Sequence, residues 1–287
     1  MAYAALCLGV FFVTALVNMT MISVFYHRAL AHKGLELSPL TRWVVVDLGI
    51  WLTGIDPKGW VCMHRAHHKH SDTELDPHSP VHYGLIGVFV AQLKNYERTL
   101  IGLARGRERY TSLVPDLDFP VNRLNRRRMW VLPYVLHFAV ALGLALAFDA
   151  WLLGACWFAG MMSHPIEGGL VNTLGHAFGG RNFETDDNSR NNVFAAAFIL
   201  GEGYQNNHHR FPNSPRFSFR RTELDLGYGV CVVLELFGLV KIRREQLIPT
   251  PEQFAVDEAR RLELAAAATT VEPVTDTAEP ERELVAV

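Results

Sequence analysis

The chain has 287 residues, 49% of them hydrophobic, with a formal net charge of −2 and a mean hydropathy of +0.10. Its four cysteines, Cys7, Cys62, Cys156 and Cys231, are scattered with no CxxC pair, which speaks against a disulfide framework or a cysteine metal site and fits a reducing compartment. The near-neutral total gives no reason to expect a nucleic-acid partner, yet it hides Arg-rich runs at 105–109 and 123–128 and an acidic last segment.

Residues 4–25 (AALCLGVFFVTALVNMTMISVF) carry no charge and are long enough to cross a bilayer. A secretory signal would have a basic stretch before this run and a small-residue cleavage site after it, and neither is present. Residues 43–55 (WVVVDLGIWLTGI) are apolar but short and contain Asp47, which suits an in-plane or re-entrant helix. Apolar runs over 130–148 and 150–170, separated by Asp149, predict a second and a third span folded as a tight hairpin. The run at 226–240 (LGYGVCVVLELFGLV) is short and includes Glu235, so an interfacial helix is expected. Thr250 to Gln253 (TPEQ) reads as a helix start with a capping box, and from about 265 the Ala/Thr/Glu/Pro-rich chain is expected to be disordered.

Loop charges give an orientation. Arg28, Lys33, Arg42, Lys58, Arg65, Lys69, Lys94, Arg98 and the Arg runs all fall between the first span and the hairpin, which the positive-inside rule assigns to the cytoplasm. The expected fold class is therefore all-α, an integral membrane helical bundle spanning at about 4–25, 130–148 and 150–170. A cytoplasmic helical cap is expected over 27–128 and 171–250. Residues 1–250 would form the membrane domain and 251–287 a short helix and tail.

Histidines cluster on that cytoplasmic side. His64, His67 and His68 stand at i, i+3 and i+4 and share one helix face, and Gln205, His208 and His209 repeat the spacing. Asn172 and His176 are also i, i+4. His27 and His32 are five apart, about 140° around an ideal α-helix, so they converge only if the helix end unwinds or the site lies between them. One HxxHH arises by chance or as a surface patch, and His137 is a lone histidine on an apolar face. Eight histidines in four clusters on one side are too many for one ion and about right for two, and imidazole is a ligand for iron, zinc and copper. Soluble di-iron carboxylate proteins would use Glu-x-x-His pairs, and the chain has no ExxH.

HRALAH (27–32), HRAHHKHSDTELDPH (64–78), NTLGH (172–176) and GEGYQNNHH (201–209) resemble the histidine boxes of the membrane fatty acyl desaturases, most closely the acyl-CoA Δ9, stearoyl-CoA type, branch. The resemblance runs from about residue 15 to 240. It implies a di-iron site at the cytoplasmic helix ends, O₂ as co-substrate, an acyl-CoA or other acyl-carrier substrate, and a bent apolar tunnel beside the metals. An external electron donor of the ferredoxin, rubredoxin or cytochrome b5 type is implied too, in a lipid bilayer such as a bacterial inner membrane. Carried over by position, His27, His32, His64, His67, His68, His176, His208 and His209 would be iron ligands, and Asn172 would act through water. The chain departs from the pattern at Gln205, where the third box usually begins with histidine. It also lacks the extra helix that eukaryotic relatives carry before the first box, and no HPGG-type segment points to a fused cytochrome b5 domain.

Gln205 has three readings: a direct ligand, a water-bridged neighbour, or an open coordination position. The water-bridged one is favoured here. Lys94 and Arg98 are candidate contacts for a phosphate-bearing headgroup, although lipid anchoring explains such charges as well. Asp72, Asp76, Asp116 and Asp118 are expected to orient histidines or cap helices. Gly143 and Gly160 would serve close helix packing or make room for a substrate, packing being the commoner role. A membrane hydroxylase or ketolase would use similar histidine clusters, and a non-catalytic metal-binding membrane protein would need more polar residues along the spans.

Overall fold

The computed structural model describes residues 1–247 and parts of 254–266, so the expected capping box at 250–253 and the tail beyond 266 lie outside the described residues. The uncharged N-terminal run forms α1 (Ala2–Met19) and continues without a break into a π-helical segment (Thr20–Ala31). Together they make one 30-residue rod, the one helix among the described residues long and apolar enough to cross a membrane. The π segment resolves the awkward spacing of the first histidine pair. A π-helix closes its hydrogen bonds five residues apart, and the His32 N–H donates to the His27 carbonyl at 3.1 Å. A five-residue step is then one turn, and the two rings sit with centroids 5.0 Å apart.

Strand β1 (Leu35–Leu37) pairs antiparallel with β2 (Val240–Ile242), Leu35 facing Ile242 and Leu37 facing Val240. Ser38 caps α2 (Pro39–Trp43), which bends through a π-helical turn (Val44–Leu48) into α3 (Gly49–Thr53). Gly54 ends this stretch at φ +72, with the Tyr134 ring packed where a Cβ would stand. The 43–55 run is thus the later part of a bent helix too short to cross a bilayer. The helix α4 (Pro57–His70) starts at Asp56, whose carboxylate accepts the Gly59 N–H at 2.9 Å with Pro57 in the first turn. Ser79 caps α5 (Pro80–Ala104), which kinks at Gly84, and the short α6 (Glu108–Thr111) and α7 (Arg123–Arg126) follow.

The expected hairpin forms from α8 (Leu132–Phe148) and α9 (Trp151–Met161), turned by Asp149 in the left-handed region. The third run differs from expectation, because 150–170 is not one helix. It breaks at Met162–Ser163, and α10 (His164–Ala177) begins anew. The Ser163 hydroxyl donates to the Gly160 carbonyl at 2.9 Å, and Pro165 has no N–H with which to continue the ladder. Asn192 caps α11 (Val193–Phe198), α12 (Gln205–Arg210) carries the last histidine pair, and Asp225 caps α13 (Leu226–Leu236).

Among the described residues the protein is mostly helical, with one two-stranded ribbon. α9 packs between α1 and α8, while α5 packs against α4 and α10. The outward faces of α1, α8 and α9 expose Leu8, Phe12, Val13, Phe138, Leu146 and Trp151. The main core joins the π segment to its neighbours through Val24, Phe25, Tyr26, Val45, Cys231 and Ile242. His137 is buried with Nε2 donating to the Trp51 carbonyl at 2.8 Å, a structural role.

The acidic residues divide. Asp116 accepts Arg65 at 2.6 and 3.0 Å and pairs with Lys33, and Asp118 pairs with Arg42, so neither orients a histidine or caps a helix. The cationic side chains around them offer the stronger partner. Arg65 also donates to the Leu30 and Ala31 carbonyls, satisfying the end of the π segment.

Gly160 is the contact point of α9 on α1: a Cβ there would lie 2.0 Å from the Thr14 hydroxyl and 2.7 Å from the Phe11 carbonyl, whereas one on Gly143 meets nothing within 4 Å. Gly160→Val is therefore expected to destabilise by about 1–3 kcal/mol or more through overpacking. Gly143→Val should change little. Thermal unfolding of the two purified variants checks the difference, and equal loss in both would contradict it.

Candidate metal centre

Four elements deliver the histidines to one place. The π segment and its C-terminal residue bring His27 and His32, α4 brings His64, His67 and His68, α10 brings His176, and α12 brings His208 and His209. Their nitrogens sort into two groups in which all ligand atoms lie within 4.8 Å of one another: His27, His32, His64, His68 and His208, and then His67, His176 and His209. All eight sequence-predicted histidines are brought together. The split into five and three is a property of the fold, since α4 and α12 each feed both groups.

Within the larger group, Nε2 atoms face each other at 2.9 Å for His27 and His208, 2.7 Å for His32 and His64, 3.0 Å for His64 and His68, and 2.9 Å for His68 and His208. Burial first, and the surrounding imidazoles second, hold His32, His64, His68 and His208 well below the usual histidine range, so these rings are neutral. Neutral imidazole is the form that binds a metal.

The smaller group shows why a cation fits. His67 Nδ1 faces Asp76 at 2.9 Å, His176 Nδ1 faces Asp72 at 3.0 Å, and His209 Nδ1 faces Asp187 at 2.5 Å. A ring whose Nδ1 carries the proton toward a carboxylate presents a bare lone pair at Nε2. His67 and His209 Nε2 then confront each other at 3.2 Å, and His176 Nε2 is buried with no hydrogen-bond partner. Three lone pairs aimed at one another in a buried space are repulsive unless a positive ion sits among them. The donor set is nitrogen only, which suits iron, zinc or copper. The carboxylates are held ionised: burial works against Asp72, but the hydrogen bond and charge of His176 bring it down to about 2.

Asp72 and Asp76 meet the expectation that they orient histidines. Two carboxylates were not picked out by sequence reasoning. Asp187 lies in an irregular segment between α10 and α11. Glu202 sits three residues before Gln205, within GEGYQNNHH, and that proximity was its available signal. Its Oε2 is 2.7 Å from His27 Nδ1, while Oε1 accepts Arg28 at 2.7 Å, and Arg28 continues to Asp225 at 3.0 Å. Burial alone would raise Glu202, but His27 and Arg28 hold it below its ordinary value. Arg28 is itself fully buried, with its guanidinium 3.9 Å from the Phe217 ring centroid. His78 also belongs here: it is buried against His67 with ring centroids 4.6 Å apart, and neither ring nitrogen has a partner.

Gln205 is buried at the start of α12, and its amide nitrogen donates to the Glu202 carbonyl at 2.8 Å. It lines a cavity beside the larger group together with Asn172, His27, His64, His78 and Glu202. The cavity's remaining walls are largely apolar, among them Met19, Ile22, Met63, Val171 and Ile199. Lys94 borders a separate, mainly apolar cavity of about 400 Å³ between Ile55, Tyr96 and Tyr134. Arg98 does not line it and instead donates to Asn95 at 3.1 Å.

A family model described as fatty acid desaturase matches residues 3–225. Among curated relatives, a hex-5-enoyl-[acyl-carrier protein] acetylenase of Moorena producens (strain JHB) is 30% identical over 232 residues, covering 78% of this chain and 72% of the relative. Delta-9 acyl-lipid desaturase 1 of Arabidopsis thaliana is 29% identical over 225 residues, covering 76% and 68%. Acyl-CoA 5-desaturase AL21 of Anemone leveillei is 31% identical over 219 residues, covering 75% and 64%.

Loss of an anchoring carboxylate should be read directly in metal binding. Glu202→Gln and Asp187→Asn are each expected to weaken metal affinity about 10–100-fold. Titration of metal-stripped protein with a divalent ion checks this, and unchanged affinity in both variants would contradict the anchoring role.

Proposed function

We propose, on the premise that this chain belongs to the fatty acid desaturase family, that it is a membrane-embedded di-iron enzyme introducing a cis double bond into a saturated acyl chain. The family assignment makes it an oxidoreductase of lipid metabolism, and the relatives' printed names span acyl-carrier-protein, acyl-lipid and acyl-CoA substrates. In this reading the substrate is an acyl-CoA and the position is Δ9-like, O₂ is the oxidant, and a ferredoxin, rubredoxin or cytochrome b5 type protein supplies electrons.

His27, His32, His64, His68 and His208 would hold one iron, and His67, His176 and His209 the other, with Asn172 and Gln205 acting beside them through hydrogen bonds. The observation that carries the reading is the carboxylate-anchored trio, whose three Nε2 lone pairs have no other use. When bound, the irons supply with O₂ the oxidising power that an unactivated methylene demands, because no side-chain acid or base can take that hydrogen. The chain's own residues supply place and dryness. Met19, Ile22, Met63, Val171 and Ile199 wall a cavity next to His27 and His64 where an acyl chain can lie away from water. Trp60 stacks on His64 with centroids 4.8 Å apart and holds that ring in register.

The rod Ala2–Ala31 would span the bilayer with the α8–α9 hairpin beside it, in a bacterial inner membrane, leaving the histidines and the Lys/Arg-rich segments on the cytoplasmic side. The described part of the chain up to 247 would belong to one membrane domain. The exposed Lys94 at the rim of the second cavity supports a headgroup contact there, with Arg98 one helical turn further on. A polar hollow bordered by His68, His209, Lys69, Glu184 and Asp186 gives an electron donor an approach to both histidine groups.

Expression of the chain in a host lacking this activity should yield fatty acids two hydrogens lighter than their parents, and His208→Ala should abolish them. A product carrying an added oxygen instead would convert the assignment to a hydroxylase. Gln205→His is expected to leave two irons per purified chain and to alter turnover. A rise in iron content from one to two would show that Gln205 leaves a metal position unfilled.

A further inference from the structure

One wall of the cavity beside the larger histidine group does not suit a plain hydrocarbon. Gln92 from α5 and His164 and Glu167 from α10 all line it. Two of these side chains are held in fixed hydrogen-bonding states. The Trp60 indole N–H donates to His164 Nε2 at 3.0 Å, so the His164 proton is on Nδ1 and that nitrogen is a donor. The Gln92 amide nitrogen donates to the Pro165 carbonyl at 2.6 Å, which fixes the amide and leaves its oxygen as an acceptor. Neither His164 Nδ1 nor the Gln92 oxygen has a hydrogen-bond partner among the described residues. Both groups border the space over Gly168: a Cβ there would meet the Gln92 oxygen at 3.4 Å and the His164 ring carbon Cε1 at 3.4 Å. The absent side chain at 168 thus opens a small chamber with a donor and an acceptor on its rim and the Glu167 carboxyl nearby.

A methylene chain passing this point would strand both groups. A thioester or ester carbonyl only accepts, so it would pair with His164 and leave the Gln92 oxygen unmet. A hydroxyl both accepts and donates, and it matches the pair. We propose that the chamber between Gln92, His164 and Gly168 is a hydroxyl-binding subsite, and that the preferred substrate is an acyl chain bearing a hydroxyl group a few carbons from the methylene pair that reacts. The closeness to the reacting position follows from Trp60, which touches His164 through its N–H and stacks on His64 with its ring face. The subsite deepens the desaturase reading and rests on it for the word substrate, but its binding preference can be measured independently. A site built to hydrogen-bond a hydroxyl discriminates strongly against the analogue lacking one, by up to about 10⁴–10⁵-fold where fully enclosed. The half-buried rim here calls for a smaller factor, roughly tenfold or more.

The test uses the purified full-length protein in lipid nanodiscs, with stearate and a positional series of monohydroxystearates as probes, read by quenching of tryptophan fluorescence. At least one positional isomer is expected to bind about tenfold or more tightly than stearate. Gln92→Leu and His164→Phe should each bring that ratio toward one. Should Gln92→Leu fail to fold, Gln92→Met keeps the shape and removes the acceptor. Hydroxystearates that bind no better than stearate to the wild type, or a preference that survives both substitutions, would overturn the subsite. The same acids fed to expressing cells separate the two claims. A binding preference without any desaturated product would count against the desaturase reading and leave the subsite standing, while desaturated stearate without a preference would do the reverse.

Discussion

The structure turns on what stands behind the metal-facing histidines. Four buried carboxylates, Asp72, Asp76, Asp187 and Glu202, take the Nδ1 side of His176, His67, His209 and His27. That contact chooses the tautomer, aims the ring and leaves Nε2 bare. Each carboxylate carries a burial cost that is worth bearing only where several charges are settled together. Glu202 meets it with Arg28, which is itself buried and shared with Asp225. The dense packing around the π segment, including Phe217 over the guanidinium, follows from the need to keep this network dry and fixed.

The same requirement accounts for the irregular backbone. A regular α-helix would hold His27 and His32 on different faces, so the chain adopts π geometry over Thr20–Ala31. Arg65 then satisfies the carbonyls freed near its end. The π-helix is less favourable than the α-helix in isolation and is found mainly where a function selects it. The break at Met162–Ser163 belongs with it. By starting α10 afresh, it brings His164 and Glu167 to the cavity wall and still sends His176 to the metal-facing trio. Apolar spans that pack closely, as at Gly160, therefore end in a polar apparatus of exact orientation rather than in loops of loose geometry.

Family membership and local chemistry answer different questions. The family explains why the eight histidines are present and what class of reaction they serve. It does not explain why the cavity beside them has a fixed amide, a fixed imidazole and a carboxyl on one side, nor why Gln205 spends its amide on the Glu202 carbonyl. Those features are particular to this chain, and they are where selectivity among acyl substrates would be written.

Much of the site was legible before any coordinates. Helical spacing put His64, His67 and His68 on one face, repeated it at Gln205, His208 and His209, and the neighbouring Asp72 and Asp76 read as orienting groups because they follow in the same segment. The apolar runs gave α1 and the α8–α9 hairpin for the same reason: periodicity and composition are local. The five-and-three partition, the roles of Glu202 and Asp187, the pairing of Asp116 with Arg65, and the convergence of Gln92 with His164 were decided only in three dimensions. Each joins residues far apart in the chain, and which distant side chain meets which is set by how helices pack. The π segment lies between the two cases. Its five-residue spacing was visible, but nothing local favours π over α geometry, and the packing of the surrounding imidazoles supplied the preference.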